Sequence, residues 1–246
     1  MERDLQPERM DDPELPPQQH LEALAGLARL NRWTGVSGPI YRRLKHYALA
    51  LGGRVRVLDV ATGSGDLPID WAKRAQRDGI TMEITAVDIS DVALGLAAQK
   101  ALTAGVDVRF ERRDVLNHRL PGDFDVVTCN LFIHHLDEAS IARLLVSMQS
   151  AARHAVVVCD LERSRANLAA VWLASRLVTR SPIVHEDAVL SIRAALTRHE
   201  FAKLASEALD RPVLVRRLPP CRFMAVVEGV AQTVEEPIWV QAAQPA

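Results

Sequence analysis

One segment of the chain restricts its possible folds more than any other: Val57 to Pro68, with the sequence VLDVATGSGDLP. It opens with β-branched and aliphatic residues, which are typical of a strand buried on both faces of a parallel sheet. The strand leads through Gly63 and Gly65 into a predicted helix, and glycines there allow backbone to approach a ligand closely. Open parallel sheets bind ligands at the carboxyl ends of their strands. The segment therefore predicts an α/β fold with a ligand site after its first strand.

The residues that follow alternate regularly between strand and helix patterns. Further strands are predicted at 84–88, 106–110, 124–130 and 154–161, and the helices between them at 68–77, 90–103 and 137–152. Such alternation predicts βαβ units and a mostly parallel sheet. The run PVLVRRLPPCRFMAVVEG contains two further strand-like stretches around Leu218-Pro219-Pro220. We expect these two to close the sheet as a terminal antiparallel hairpin.

The remaining segments predict the domain organisation. Residues 1–52 are expected to form an N-terminal helical extension, residues 53–230 the main domain, and residues 231–246 a loose tail. After the fifth strand, the stretch at about 162–200 is helical and longer than a simple crossover requires, with a break at Ser181-Pro182 and a second helical region from 188 to 209. A helical insertion that covers the sheet edge is the prediction.

Composition and charge exclude several classes of function. The 246 residues carry 30 Lys and Arg against 31 Asp and Glu, so no overall positive field exists to attract nucleic acid. The N-terminus is charged and proline-bearing, and no run approaches the roughly 18 apolar residues of a membrane span, so we expect a cytoplasmic protein. Cys129, Cys159 and Cys221 lie far apart and predict buried thiols rather than a disulfide framework.

Three carboxylates indicate the chemistry of the ligand. Asp59 lies in the first strand, Asp88 ends the second, and Asp114 follows the third. Because the carboxyl ends of parallel strands share one edge of the sheet, these acids are expected to surround one site. Three acids would repel a pyrophosphate, and Pro68 stands where a dinucleotide fingerprint needs a third small residue. The pattern favours a cationic nucleoside without phosphates.

At this point the sequence resembles the class I S-adenosylmethionine-dependent methyltransferases. VLDVATGSGDLP resembles their first motif, and Asp88, Asp114 and FDVVTCNLFIHHLD (124–137) resemble later ones. The resemblance covers roughly residues 55 to 160 and implies a Rossmann-like, mostly parallel seven-stranded sheet with S-adenosylmethionine as cofactor. It implies that the first motif holds the methionine part, Asp88 the ribose and Asp114 the adenine. The cofactor-binding residues implied are Asp59, Ala61, Thr62, Gly63, Gly65, Asp88, Ile89, Asp114, Val115, Asn130 and Leu131.

A narrower resemblance concerns the acceptor. The segments ERMDDP, LARLNRWTG and VHEDAVLSIRAALT are similar to those of bacterial small-molecule methyltransferases, some linked to polyketide or phenolic-lipid pathways. This implies methyl transfer to a hydroxyl of a phenolic, quinol or polyketide-type compound. A homodimer is an assembly that the sequence leaves open. Two alternatives stay open from the sequence: a non-catalytic nucleoside-binding regulatory module and a nicotinamide-dependent oxidoreductase.

Two histidines are candidates for the base that removes the hydroxyl proton. His135 follows the fourth strand, and His185 lies in the predicted cover beside Glu186 and Asp187, which could orient it. No metal site is predicted, because adjacent histidines such as His134-His135 at a helix start point in different directions and no third ligand is suitably spaced. Aromatic residues Trp33, Phe132 and Trp172 are candidates for the walls of an acceptor pocket.

Overall fold

A single seven-stranded sheet forms the centre of the computed structural model, which describes residues 1–12 and 14–229. The strands are β1 (Arg54–Val60), β2 (Thr81–Asp88), β3 (Arg109–Arg112), β4 (Phe124–Asn130), β5 (Ala152–Leu161), β6 (Val215–Leu218) and β7 (Arg222–Glu228). Their order is β3-β2-β1-β4-β5-β7-β6. The first five strands are parallel, whereas β7 runs antiparallel to both β5 and β6. The predicted α/β sheet with a terminal antiparallel hairpin is confirmed.

Eight α-helices connect and cover these strands within the described ranges. They are α1 (Pro17–Trp33), α2 (Ser37–Ala50), α3 (Asp66–Asp78), α4 (Asp91–Ala104), α5 (Glu138–Ala151), α6 (Arg165–Val178), α7 (Pro182–Ala194) and α8 (Arg198–Leu209). Polar side chains cap the first turns of α4 to α8: for example, Ser90 accepts from Ala93 N–H at α4, and Asp137 accepts from Ser140 N–H at α5. None of the helices described is long and apolar enough to cross a membrane.

The two faces of the sheet are buried by different helices. Helices α5 and α8 cover one face, where the core includes Leu58, Leu144 and Phe201. Helices α2 and α3 cover the other face, where Leu44 and Trp71 are fully buried. Burying each of these large side chains contributes about 1.5–3 kcal/mol relative to exposure. The sheet is therefore a rigid platform, which fixes the positions of residues at the ends of its strands.

A third group of helices lies over the carboxyl ends of the strands. Helices α1, α6 and α7 pack on one another, and α7 also contacts short 3-10 turns at Arg9–Asp11 and Ile133–His135. The N-terminal segment, residues 1–12, is bound to α7, where Asp187 accepts hydrogen bonds from Arg9 and Met10 N–H. We call α1, α6 and α7 the helical cover.

Two element boundaries differ from the sequence predictions. β3 begins at Arg109 instead of at 106, because Gly105 (φ 64°) ends α4 and Val106 N–H donates to Ala101 O. The predicted helical region from 188 to 209 is two helices, α7 and α8, separated where Thr197 forms a capping box with Glu200. The domain boundaries at 52/53 and 230/231 stay predictions, and the tail at 231–246 lies outside the described residues.

Candidate active site

A cavity of about 1120 Å³ lies between the carboxyl ends of β1, β2 and β4 and the helical cover. The residues that follow these strands line one side of the cavity, and α1, α6 and α7 line the other. A pocket for one small ligand typically measures about 300–1,000 Å³. The cavity is therefore larger than the usual pocket for one small ligand.

The turn after β1 is tied to the end of β2. Gly63 has a φ of 57°, in the region that favours glycine, and its N–H donates to Asp88 Oδ2 at 2.7 Å. Thr62 N–H donates to Val87 O at 3.0 Å. A Cβ at Gly63 would meet no atom within 4 Å among the described residues, because the glycine borders the cavity. Gly63 is thus placed where a ligand can approach its backbone.

Gly65 does not line the cavity, and its predicted role in ligand approach stays a prediction. It caps the N-terminus of α3 with a φ of 70°. A Cβ built on it would lie 2.8 Å from Ala97 Cβ and 2.9 Å from Phe110 Cε1. The close approach that requires glycine here is protein packing against α4 and β3.

Asp59 is likewise buried beneath the cavity and does not line it, so its predicted contact with the ligand stays a prediction. Its carboxylate accepts hydrogen bonds from Thr62 Oγ1 at 2.7 Å, Thr128 Oγ1 at 2.7 Å and Asn130 Nδ2 at 3.1 Å. Burial raises the pKa of Asp59 to about 6, against the lowering effect of these hydrogen bonds. Asp59 holds the ends of β1 and β4 together and positions the residues that do reach the cavity.

The raised pKa of Asp59 predicts a pH dependence of stability. The pKa rises from 3.8 to about 6 on folding, so the folded state binds this proton more tightly. Its contribution is fully present below pH 3.8 and is lost as the pH rises through about 6, a change of about 3 kcal/mol. Urea unfolding of wild-type protein and of Asp59→Asn, measured from pH 4 to 7, should show a difference in unfolding free energy that declines with pH. A difference that stays constant would contradict the prediction.

Strained backbone lies at the ends of β1 and β4. Ala61 and Leu131 each have a φ of 54°, which is rare for residues with a side chain and recurs at functional sites. Both border the cavity, together with Asn130. Asn130 Oδ1 is buried without a hydrogen-bond partner among the described residues, while its Nδ2 donates to Asp59. A buried acceptor without a partner is costly, so Asn130 is suited to a ligand that donates a hydrogen bond.

The other predicted cofactor-binding residues also line the cavity: Asp88, Ile89, Asp114 and Val115. The two Asp88 oxygens accept from Gly63 N–H and from Ser90 N–H at 2.9 Å, and a carboxylate has further lone pairs for ligand hydroxyls. Hydrogen bonds from Asn117 and Leu116 lower the pKa of Asp114. The structure therefore brings Ala61, Thr62, Gly63, Asp88, Ile89, Asp114, Val115, Asn130 and Leu131 to one cavity.

A polar cluster of Glu8, His134, His135 and Asp160 lies at the same cavity. His134 Nδ1 is 2.6 Å from Asp160 Oδ1, and His134 Nε2 is 3.7 Å from Glu8 Oε1. Asp160 also accepts from the N–H groups of Phe132 and Ile133. Burial alone would raise the pKa of Asp160, but His134 and the backbone donors lower it below its ordinary value. Glu8, His134 and His135 border the cavity, and Asp160 lies behind them.

The two predicted bases have different positions. His135 borders the cavity, with its ring centroid 4.3 Å from that of His134. His185 does not border it, because its Nε2 is 2.9 Å from Thr179 O and its ring is held against the backbone. Asp187, expected to orient His185, instead accepts from the backbone of the N-terminal segment. Of the two predicted bases, the geometry therefore favours His135 over His185.

Sequence reasoning missed Glu8, His134 and Asp160. A signal for Asp160 was present, because it is the last residue but one of β5, close to the strand end as Asp88 is in β2. No spacing could connect Glu8 with residues more than a hundred positions later. At a helix start, adjacent histidines are expected to point in different directions. Here His134 and His135 lie on a 3-10 turn, and the angle between their ring planes is only 34°.

The far side of the cavity is apolar. Its walls include Leu24 and Leu27 of α1, Leu173 and Leu177 of α6, and Val184 of α7. Of the predicted aromatic walls, Trp33 and Phe132 border the cavity, whereas Trp172 lies outside it under Arg176. Of the three cysteines, Cys129 and Cys159 are buried as predicted, but Cys221 is partly exposed at the cavity.

Comparison with known proteins identifies one family model that matches the chain and several proteins that are similar to it in sequence. A family model described as "Methyltransferase domain" matches residues 57–155. The chain is 31% identical to the "Ubiquinone biosynthesis O-methyltransferase" of Ralstonia nicotianae over 166 residues, which is 66% of each protein. It is 44% identical to the "Demethylmenaquinone methyltransferase" of Deinococcus radiodurans over 75 residues, 30% of each. These matches leave about a third or more of each relative unaligned.

Solved structures show the same fold at low sequence identity. The magnesium protoporphyrin IX methyltransferase of Synechocystis PCC 6803 with bound SAH has a TM-score of 0.56 and 16% identity, over 90% of this chain and 91% of that one. A plantazolicin methyltransferase in complex with SAH has a TM-score of 0.61 and 14% identity, over 87% and 97%.

Proposed function

Because the chain belongs to the class I S-adenosylmethionine-dependent methyltransferases, we propose that it transfers the methyl group of S-adenosylmethionine to a hydroxyl oxygen of a small phenolic, quinol or polyketide-type molecule. One observation carries the proposal: nine of the eleven residues that the family motifs assign to the donor border one continuous cavity, and the same cavity has an apolar, partly polar region for an acceptor. S-adenosylmethionine supplies an electrophilic methyl group on a positively charged sulfur.

The residues at the strand ends fit this donor. Asp88 and Asp114 place two carboxylates where a ribose and an adenine amino group are expected, and neither is followed by a phosphate-binding glycine pattern. Asn130 Oδ1 offers an unsatisfied acceptor to the methionine end of the donor. The Gly63 backbone borders the same region without a side chain in the way. Asp59 and Gly65 act indirectly, by holding these groups in place.

Replacing Asp88 with alanine tests this donor site. The variant loses hydrogen bonds to the donor and the anchor of Gly63 N–H, and a hydrogen bond to a charged group contributes about 1.5–3 kcal/mol. We therefore expect calorimetry to show S-adenosylmethionine binding weakened by about 10- to 150-fold. Asp107→Ala is the matched control, since Asp107 is exposed near the opposite ends of the strands. Equal donor affinities of wild-type protein and a folded Asp88→Ala variant would disprove the role of Asp88.

The chain's contribution to the reaction is mainly alignment. The acceptor oxygen forms a bond to the methyl carbon while the carbon–sulfur bond breaks, its electron pair passes to sulfur, and the hydroxyl proton leaves. Aligning two reactants can supply about 7–11 kcal/mol of the barrier. The helical cover and the N-terminal segment enclose the acceptor side, so they exclude water and place the acceptor against the donor. Their apolar residues are the proposed determinants of acceptor choice.

His135 stays our predicted acceptor of the hydroxyl proton. It borders the cavity on a turn held by β4 and β5, so its position is more constrained than that of a loop residue. A general base at this place contributes about 10²- to 10⁴-fold to the rate. Its neighbour His134, fixed by Asp160, borders the cavity too and is a second polar contact for the acceptor.

Methyl transfer is tested directly with labelled donor. The protein should be incubated with methyl-labelled S-adenosylmethionine and a panel of phenols, quinols, polyketide products and carboxylates, with products identified by mass. Label transferred to a hydroxyl oxygen supports the proposal. Donor binding without transfer to any panel member would favour the non-catalytic regulatory module instead, and transfer only to carbon, nitrogen or carboxylate would refute the hydroxyl assignment.

A further inference from the structure

The polar cluster has a geometry that proton transfer alone does not require. Glu8, His134 and His135 each offer one atom that could bind a metal ion, and these three atoms all lie within 4.8 Å of one another. Glu8 lies more than a hundred positions before the two histidines in the chain, and it is only 7% exposed. We propose that Glu8, His134 and His135 form a binding site for a divalent transition-metal cation such as Zn²⁺, open toward the acceptor side of the cavity.

The distances suit an ion after small side-chain movements. Two nitrogen or oxygen ligands at about 2.0–2.1 Å from a tetrahedral ion are about 3.4 Å apart. His134 Nε2 and Glu8 Oε1 are separated by 3.7 Å, so an ion between them needs only a slight approach of the two groups. The adjacent imidazoles of His134 and His135 have ring centroids 4.3 Å apart, close enough for both to contribute one nitrogen after a rotation.

The surroundings of His134 are those of a metal ligand. Metal-binding histidines commonly donate their second ring N–H to a carboxylate, which fixes the ring and raises its basicity. Asp160 Oδ1 lies 2.6 Å from His134 Nδ1 and leaves Nε2 directed toward Glu8. Asp160 is itself held by the N–H groups of Phe132 and Ile133, so the ring is positioned by the sheet.

Charge and ligand type point to the same class of ion. Glu8 and Asp160 are both buried acids. The positive charges of Arg3 and Arg222 interact electrostatically with Asp160. A divalent cation between Glu8 and His134 would add positive charge where the second buried carboxylate lies. Two imidazoles and one carboxylate suit zinc and neighbouring transition metals better than Mg²⁺, which prefers oxygen ligands. Three protein ligands leave one coordination position for another molecule.

The site also explains how Glu8 reaches the cavity. Ser191 of α7 donates a hydrogen bond to Glu8 Oε1, and Asp187 of α7 accepts from the backbone of Arg9 and Met10. Arg3 donates to Leu136 O at 2.6 Å, directly after the histidine pair. The N-terminal segment is thereby fixed across the polar cluster, and an ion would join it to the end of β4.

The role of the ion deepens the proposed function and rests on it. An acceptor hydroxyl at the open position would ionise more readily next to a divalent cation, and its proton would pass to water. His135 would then be a ligand in the ion-loaded protein instead of a proton acceptor. Ion binding itself does not depend on methyl transfer, so it can be measured separately.

Cobalt provides the test, because tetrahedral Co²⁺ has a strong visible absorption. Untagged full-length protein, treated with a chelator and then dialysed, should be titrated with Co²⁺ and afterwards with Zn²⁺ and Mg²⁺. We expect one Co²⁺ per chain, displaced by Zn²⁺ and not by an equal concentration of Mg²⁺. Glu8→Gln, His134→Asn and His135→Asn should each weaken binding at least tenfold, and Asp160→Asn about 10- to 100-fold. His185→Asn and Glu186→Gln are the controls and should bind as the wild type does.

Each result decides the proposal. Absence of saturable Co²⁺ binding by the wild type overturns it, as does binding that survives both Glu8→Gln and His134→Asn. A variant that circular dichroism shows to be unfolded is set aside. The remaining single variants among Glu8→Gln, His134→Asn and His135→Asn then decide. Methyl transfer by the chelated protein would leave the proposed function standing whatever the Co²⁺ spectrum shows. Absence of transfer with and without Zn²⁺ would count against the proposed function alone.

Discussion

Replacing His134 with asparagine is expected to lower kcat about 10- to 100-fold with the acceptor that the panel identifies, because it removes a polar contact rather than the predicted base. The asparagine amide can still donate to Asp160, so the buried carboxylate keeps a partner. The variant lacks the Nε2 atom that faces Glu8 and the cavity, and with it a polar contact to the acceptor oxygen, direct or through a bound ion. Donor affinity should stay unchanged, because His134 is bonded to Asp160 and faces Glu8, neither of which is assigned to the donor.

The matched control is His185→Asn. Its ring is bonded to Thr179 O and lies outside the cavity, so this variant should turn over the acceptor at nearly the wild-type rate. Steady-state kinetics at saturating donor, with calorimetry of donor binding, distinguish the two variants. Full activity of His134→Asn combined with loss of activity in His185→Asn would return the catalytic assignment to the helical cover.

Replacing Gly65 with alanine should destabilise the fold by about 2–5 kcal/mol in the absence of donor. The left-handed conformation costs a residue with a Cβ about 1–2 kcal/mol, and overpacking a filled site costs about 1–3 kcal/mol more. Both apply at Gly65, because its φ is 70° and its Cβ would lie 2.8 Å from Ala97 Cβ and 2.9 Å from Phe110.

Gly63→Ala separates these two contributions. Gly63 also has a positive φ of 57°, but its Cβ would meet nothing within 4 Å among the described residues, so only the conformational cost of about 1–2 kcal/mol applies. Chemical denaturation should therefore rank the variants wild type, Gly63→Ala, Gly65→Ala in decreasing stability. Adding Ala97→Gly to Gly65→Ala should restore part of the loss. Equal stabilities of the two glycine variants would show that α4 and β3 accommodate the Cβ of Gly65→Ala without a further loss of stability.

Most of the donor side of the cavity could be predicted from local sequence. Ala61, Thr62 and Gly63 follow β1, Asp88 and Ile89 follow β2, and Asn130 and Leu131 follow β4. In a parallel sheet the carboxyl ends of successive strands meet at one edge, so strand prediction alone brings such residues together. Local sequence could not distinguish the residues that face the ligand from those beneath it. Asp59 and Gly65 belong to the same motif. However, the Asp59 carboxylate is bonded to Thr128, and the Cβ position of Gly65 faces α4 and β3.

The acceptor side depended on contacts that no local pattern contains. His134 and His135 are adjacent, and only the 3-10 turn at Ile133–His135 and the bond to Asp160 settle which ring atoms face the cavity. Glu8 reaches His134 because α7 binds the N-terminal segment through Asp187 and Ser191. His185 was predicted from its acidic neighbours, but the rotation of α7 directs it to Thr179 instead.

The sequence by itself determined the class of fold and the sheet edge at which the cavity lies, because hydrophobic periodicity selects strands and helices, and strand order places their ends together. It also determined, through Asp88, Asp114 and the missing third glycine, that the ligand at this edge carries no phosphate. Only the tertiary structure decided which groups line the acceptor side. That outcome depends on how helices pack and rotate over the sheet, a balance of many contacts between residues distant in sequence, of which the approach of Glu8 to His134 is the example with the greatest consequence.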